Sequence, residues 1–236
     1  MGVRLRKPAE RLGWYLIAAA MACFSLGDDV FTYYQVVVHN VPFPSAADAL
    51  YLCGYPFLFA GVVRLSLSAR ASSSRDASAD AAIVALGALA ISWQFLMSSY
   101  VHDVTLSTFG MLVNVAYPVM DIGLIFIVFR SLLFRRRKLP YQRMLATTLV
   151  ILFVGDFAYD LLVLHNAYSA GNVVDAFFLV QYVLVGATAL HPSVGEPATI
   201  EEPVAAAERR VPGAPITIVC GFIPPVILLV ATTVGA

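Results

Sequence analysis

Hydrophobic residues in this chain fall into long blocks broken by short polar stretches, and the blocks have membrane-crossing length. A hydrocarbon core of about 30 Å takes roughly 20 apolar helical residues. The pattern predicts seven spans, residues 13–34, 46–66, 79–99, 107–133, 144–165, 171–190 and 213–235. The expected fold class is therefore all-α, a polytopic helical bundle. A six-helix core, 13–190, is followed by a cytoplasmic linker, 191–212, and a seventh helix, 213–236. Composition agrees, since 60% hydrophobic residues, 13% charged residues and a mean hydropathy of +0.80 lie far from a soluble domain. The lipid bilayer is the first expected partner.

All 15 Lys and Arg residues lie between or at the ends of these blocks, and only in alternate gaps. Arg4, Arg6, Lys7 and Arg11 accompany the N-terminus, residues 1–12. Arg64, Arg70 and Arg75 lie between spans two and three. Arg130, Arg135, Arg136, Arg137, Lys138 and Arg143 lie between four and five, and Arg209 and Arg210 precede seven. Basic loops stay in the cytoplasm, so the expected topology has the N-terminus inside, the loops of His39, His102 and His165 outside, and Ala236 outside. The expected location is the plasma (inner) membrane, multi-pass. The net charge of +0 conceals this polarity. Insertion and anionic lipid explain the basic loops, and no nucleic-acid partner is expected. Cys23, Cys53 and Cys220 lie in apolar spans without metal spacing and read as small packing residues.

A two-helix unit recurs in the sequence. Asp48-Ala-Leu-Tyr51-Leu-Cys-Gly-Tyr55-Pro56, Ala116-Tyr117-Pro118-Val-Met-Asp121 and Asp175-Ala-Phe-Phe-Leu-Val-Gln-Tyr182 bring three tyrosines into register, with intervals of 62 and 65 residues. In the odd spans Gly27-Asp28 matches Gly155-Asp156, with the region around Trp93 as the span-three counterpart. Three hairpins are expected, 13–66, 79–133 and 144–190, sharing one orientation around an axis along the membrane normal.

Seven aspartates, Asp28, Asp29, Asp48, Asp121, Asp156, Asp160 and Asp175, lie within the spans or at their mouths, where no Lys or Arg accompanies them. Ionisable groups in hydrocarbon cost several kcal/mol and mark interior sites or pathways. Helical spacing puts Asp156 with Asp160, Asp48 with Tyr51 and Tyr55, Tyr117 with Asp121, and Asp175 with Tyr182 on shared faces. Asp28 and Asp29 diverge by about 100°, and the Gly-Asp match selects Asp28. The candidate ligand or cation site is thus Asp28, Asp48, Tyr51, Tyr55, Tyr117, Asp121, Asp156, Asp160, Asp175 and Tyr182. Asp48 and Asp175 also suit first helical turns, where a carboxylate meets the positive dipole end. Asp80 reads as a plain first-turn acid, and Tyr33, Tyr34 and Tyr100 as interfacial belt residues.

Crowded carboxylates repel, so either some carry protons or a cation sits among them. Oxygen ligands suit a divalent metal ion, with Asp28, Asp156 and Asp160 as the candidate metal ligands. His39, His102 or His165 could shift preference toward a transition metal. A b-type haem is disfavoured because the spans hold no facing histidines.

The motifs around Pro42-Phe43-Pro44-Ser45 to Pro56, Ala116-Tyr117-Pro118-Val-Met-Asp121, Gly155-Asp156-Phe-Ala-Tyr159-Asp160 and Ala189-Leu190-His191-Pro192-Ser193 occur in that order. Over roughly residues 13–195 they resemble the multi-span N-terminal sensor region of actinobacterial GGDEF/EAL proteins, which make or degrade cyclic di-GMP. The resemblance implies a sensor domain in signal transduction. The chain has no GGDEF or EAL string, so no enzyme activity is expected of it, and a fragment or a stand-alone relative fits the resemblance.

The expected function is a membrane-embedded signal-input module for an extracytoplasmic cation, proton or small ligand, with a homodimer or a cytoplasmic output partner as further expected partners. The alternative is a small cation- or proton-coupled transporter, which needs a polar route to the cytoplasm; Asp121, Asn114 and Gln181 are the chief polar residues available for one. An intramembrane aspartyl protease needs two carboxyls about 3 Å apart from separate elements, whereas Asp156 and Asp160 share one helix.

Overall fold

The computed structural model describes residues 8, 10–67, 75–134 and 139–196. The described residues are helical throughout their ordered elements, with no strand among them. Six helices are long and apolar enough to cross a membrane: span one Arg11–Val38, span two Ala46–Ser66, span three Ser78–His102, span four Thr108–Ser131, span five Pro140–Leu164 and span six Val173–Leu190. The predicted seventh span, 213–235, lies outside the described residues, as do Arg209 and Arg210.

The helix ends differ from the pattern where polar residues or special turns extend them. Span one continues past residue 34 through a π-helical turn, Tyr34–Val38, and ends on His39 in the left-handed region at φ 55°. Span three belongs to a helix that starts at Arg75, so Asp80 sits in its second turn and not its first. That helix passes through a second π turn, Trp93–Met97, before its last turn, Ser98–His102. Span five begins at Pro140, earlier than expected, because proline at the first helical position lacks only an N–H that would be unpaired there anyway.

Spans one and two pack along each other, as do three and four, and five and six; span four also contacts spans two and five. The seam between spans one and two is built from small residues at seven-residue intervals, Gly13, Ala20 and Gly27 against Ala47, Gly54 and Gly61. A Cβ on Gly61 would lie 2.7 Å from Ile17 Cγ1 and 2.9 Å from the Gly13 carbonyl oxygen. One on Gly54 would lie 2.4 Å from the Phe24 ring. Small residues permit this approach, which is how helices associate when lipid removes the hydrophobic drive. Ile17, Leu58, Leu124 and Leu149 form the centre of the buried apolar cluster, while Leu86, Phe109 and Leu179 are exposed, as suits surface facing lipid.

After span six the chain turns at His191 into a short 3-10 helix, Pro192–Gly195. The first residues of the expected linker, 191–212, pack against the bundle, with Ser193 and Val194 buried.

Candidate functional site

The carboxylates that enter the bundle are met by tyrosine hydroxyls. Asp28 on span one accepts from Tyr51 of span two at 2.8 Å and from Tyr182 of span six at 2.7 Å, one on each oxygen. The preceding residue explains the reach of Tyr51. A Cβ on Gly27 would come within 2.5 Å of the Tyr51 ring, so the ring lies flat on the glycine and its hydroxyl meets the next side chain. Asp29, one residue on, is exposed.

One turn along span two, Tyr55 is buried, and its hydroxyl lies 2.8 Å from Asp121 Oδ1 of span four and 3.1 Å from Asp156 Oδ2 of span five. The two carboxyls thus meet at one hydroxyl oxygen. Asp121 is only 3% exposed. These two acids come from separate spans, unlike Asp156 and Asp160. Tyr117 of span four crosses the other way, donating to Asp48 Oδ1 at 2.9 Å. The tyrosine rings hold one another, with Tyr55 edge-on to Tyr117 and to Phe24 at centroid separations of 6.4 and 5.5 Å.

Asp48 sits in a first helical turn as expected and also receives Tyr117, its second oxygen accepting from the Ser45 amide at 2.7 Å and the Ser45 hydroxyl at 2.9 Å. Asp175 accepts from the Gly171 amide at 2.8 Å and the Tyr168 hydroxyl at 3.2 Å, closing the 165–172 loop instead of joining Tyr182. Burial, then the nearby Asp175 carboxylate, push the Tyr168 hydroxyl up to about 12. Asp160, four residues beyond Asp156, is half-buried and interacts electrostatically with Asp156, Asp121 and Tyr100. Hydrogen bonds therefore gather the predicted residues into three groups, Asp28 with Tyr51 and Tyr182, Tyr55 with Asp121 and Asp156, and Tyr117 with Asp48, with Asp160 beside the second and Asp175 outside all three.

A shared metal at Asp28, Asp156 and Asp160 finds no support in this geometry. Among the described residues no three His, Cys, Asp or Glu side chains gather closely enough to hold an ion. Both oxygens of Asp28 and Oδ2 of Asp156 accept from tyrosine hydroxyls. The loop histidines turn elsewhere. His102 Nδ1 lies 2.7 Å from the Ser98 carbonyl and His165 Nδ1 2.8 Å from the Leu161 carbonyl, each closing its own helix end.

Tyr100 belongs to the interior and not to an interfacial belt, being 6% exposed. The π turn at Trp93–Met97 adds a residue just before it, so ordinary helical phasing misplaces its direction. Tyr159 was also not singled out; its ring packs on Tyr168 at 4.7 Å and Phe31 at 6.5 Å. The signal for it lay in its place between Asp156 and Asp160. No family model, no curated protein and no solved structure matches this chain.

Proposed function

We propose that this chain is a signal-input module of the plasma membrane, in which a proton, cation or small ligand from the extracytoplasmic side engages the carboxylate and tyrosine network. The supporting topology is the one its basic loops imply, with a cytoplasmic N-terminus, three hairpin repeats and a seventh helix. The equivalence of Gly27-Asp28 and Gly155-Asp156 speaks for the repeats, because both glycines lie at close approaches inside their hairpins. Their Cβ atoms would meet Tyr51 at 2.5 Å and Phe177 at 3.0 Å. A link to cyclic di-GMP signalling rests on the family resemblance, with output through a partner or a further domain.

The observation that carries the reading is the Tyr55 hydroxyl between Asp121 and Asp156. A hydroxyl has one hydrogen and cannot serve two carboxylates at full strength. Two arrangements of the three spans follow, one with the donor on Asp121 and one with it on Asp156. A positive charge entering the group favours whichever arrangement it binds more tightly, and that difference is the signal. A metal ion could enter only by displacing tyrosine hydroxyls, which makes a proton the leading ligand.

The test is thermal unfolding in nanodiscs from pH 8 to pH 5, with and without Mg²⁺, Ca²⁺ or Mn²⁺. The wild type should shift by several degrees, and Asp156→Asn with Asp160→Asn should flatten the response. A wild-type melting temperature indifferent to pH and to every cation would overturn the proposal.

A further inference from the structure

The motif His191-Pro192-Ser193 plays no part in the acidic network, yet it is among the most tightly held pieces of the described chain. Its place follows from a defect at the start of span five. Leu139 occupies the N-cap position and has no side-chain acceptor, and Pro140 follows it. The next amide, that of Tyr141, is a first-turn donor without a helical partner. Tyr141 is buried, so its amide needs a partner from the protein or an enclosed water. Ser193, 52 residues further on, accepts this hydrogen bond through its hydroxyl at 3.1 Å. A hydroxyl in that position is what a serine N-cap normally provides from the same strand of chain.

The hydroxyl is held in turn. His191 Nδ1 lies 2.7 Å from Ser193 Oγ and 3.2 Å from the Ser193 amide nitrogen, so Nδ1 accepts from both and the ring hydrogen belongs on Nε2. The Val194 amide donates to the His191 carbonyl and the Glu196 amide to that of Ser193. Val194 joins the apolar cluster that contains Trp14 and Tyr141, whose rings pack at 6.0 Å. On another side of the same turn, Tyr141 and Gln142 line a cleft of about 20 Å³ with Val62, Ser66 and Ser131, room for about one water molecule. The first turn of span five thus has a tether from the segment after span six and free volume beside spans two and four.

We propose that His191–Gly195 is a latch: Ser193 caps span five in trans, so the chain leaving span six moves as one body with the start of the span that carries Asp156 and Asp160. The use of the latch for signalling rests on the signal-input reading, because span five would carry a change at those carboxylates to the exit segment. The latch itself does not need that reading.

Hydrogen exchange followed by mass spectrometry on the full chain in nanodiscs tests it without any stimulus. In the wild type, the Tyr141 amide and the amides of 193–196 should exchange with the same protection, because they open together. Ser193→Ala should raise exchange at both sites by about fivefold, the loss expected for an N-cap, and Ser193→Thr should keep wild-type protection. Independent exchange of the two segments in the wild type, or an unchanged Tyr141 amide in Ser193→Ala, would overturn the latch. Loss of the pH and cation response would count against the signal-input reading and leave this comparison intact.

Discussion

The seam between spans one and two and the junction of spans two, four and five are both tight, and they are tight for opposite reasons. In the first, Gly13, Gly54 and Gly61 let backbone approach backbone, and the contacts around them are with main chain or apolar side chains; the Tyr51–Asp28 hydrogen bond joins the same two spans beyond them. In the second, one hydroxyl and two carboxyls hold three helices together. Packing of the first kind depends on shape alone, so pH and ions leave it unmoved. The second depends on where hydrogens sit. On the proposed signal-input reading, the first is a fixed hairpin on which a responsive junction is mounted.

The contrast is broken most severely by overfilling the seam. Gly61→Ala sets a methyl group against the Gly13 backbone, which should cost about 3 kcal/mol and lower both melting temperature and folded yield at every pH. Gly186→Ala in span six, where a Cβ meets nothing within 4 Å, should leave stability unchanged or slightly raised, by up to about 1 kcal/mol. Equal losses in the two variants would mean the seam is not the rigid part.

Next in size is Tyr55→Phe, which removes the shared hydroxyl and leaves Asp121 without its donor. A destabilisation of about 1–3 kcal/mol is expected, together with loss of the pH response, whereas Gly61→Ala should keep that response. Retention of the response in Tyr55→Phe would transfer the switch to other groups. Tyr182→Phe should be milder, about 0.6 kcal/mol, since Asp28 keeps Tyr51; a double-mutant comparison of Tyr51→Phe and Tyr182→Phe measures how far the two donors substitute for each other.

The smallest effect lies in the 165–172 loop. The Tyr168 hydroxyl is raised from about 10 to about 12 in the folded protein. A raised folded value means the contribution is complete below pH 10 and disappears as pH climbs toward 12. Ultraviolet titration of tyrosinate should therefore show a group titrating near pH 12 that vanishes in Tyr168→Phe, with little change in stability near neutrality.

The spans were legible because transfer of apolar residues into lipid dominates every local preference, and blocks of about 20 residues leave few alternatives. The choice of Asp28 over Asp29 was legible too, from the glycine before it, since that glycine is what admits the Tyr51 ring. What could not be read was partnership. Spacing places Asp175 and Tyr182 on one face, but it does not reveal that Tyr168, seven residues back, takes the Asp175 oxygen first. Spacing likewise says nothing of Asp121 meeting Asp156, because that contact depends on how two hairpins dock. Tyr100 was misread for a third reason, a π turn that no hydrophobic count registers. The 191–196 segment reads as linker because it opens a stretch rich in Ala, Glu and Pro, while its contact with the bundle runs through an amide 52 residues away in sequence.

The π turn at Trp93–Met97 separates two properties that a regular helix ties together. Removing one residue from it would shorten the span by about 1.5 Å, too little to matter to a bilayer, yet swing everything beyond it by about 100°. The helix would still cross, but with Tyr100 aimed away from Asp160. Reach and aim are thus set by different residues in this part of the chain, and a single deletion could spoil one while sparing the other.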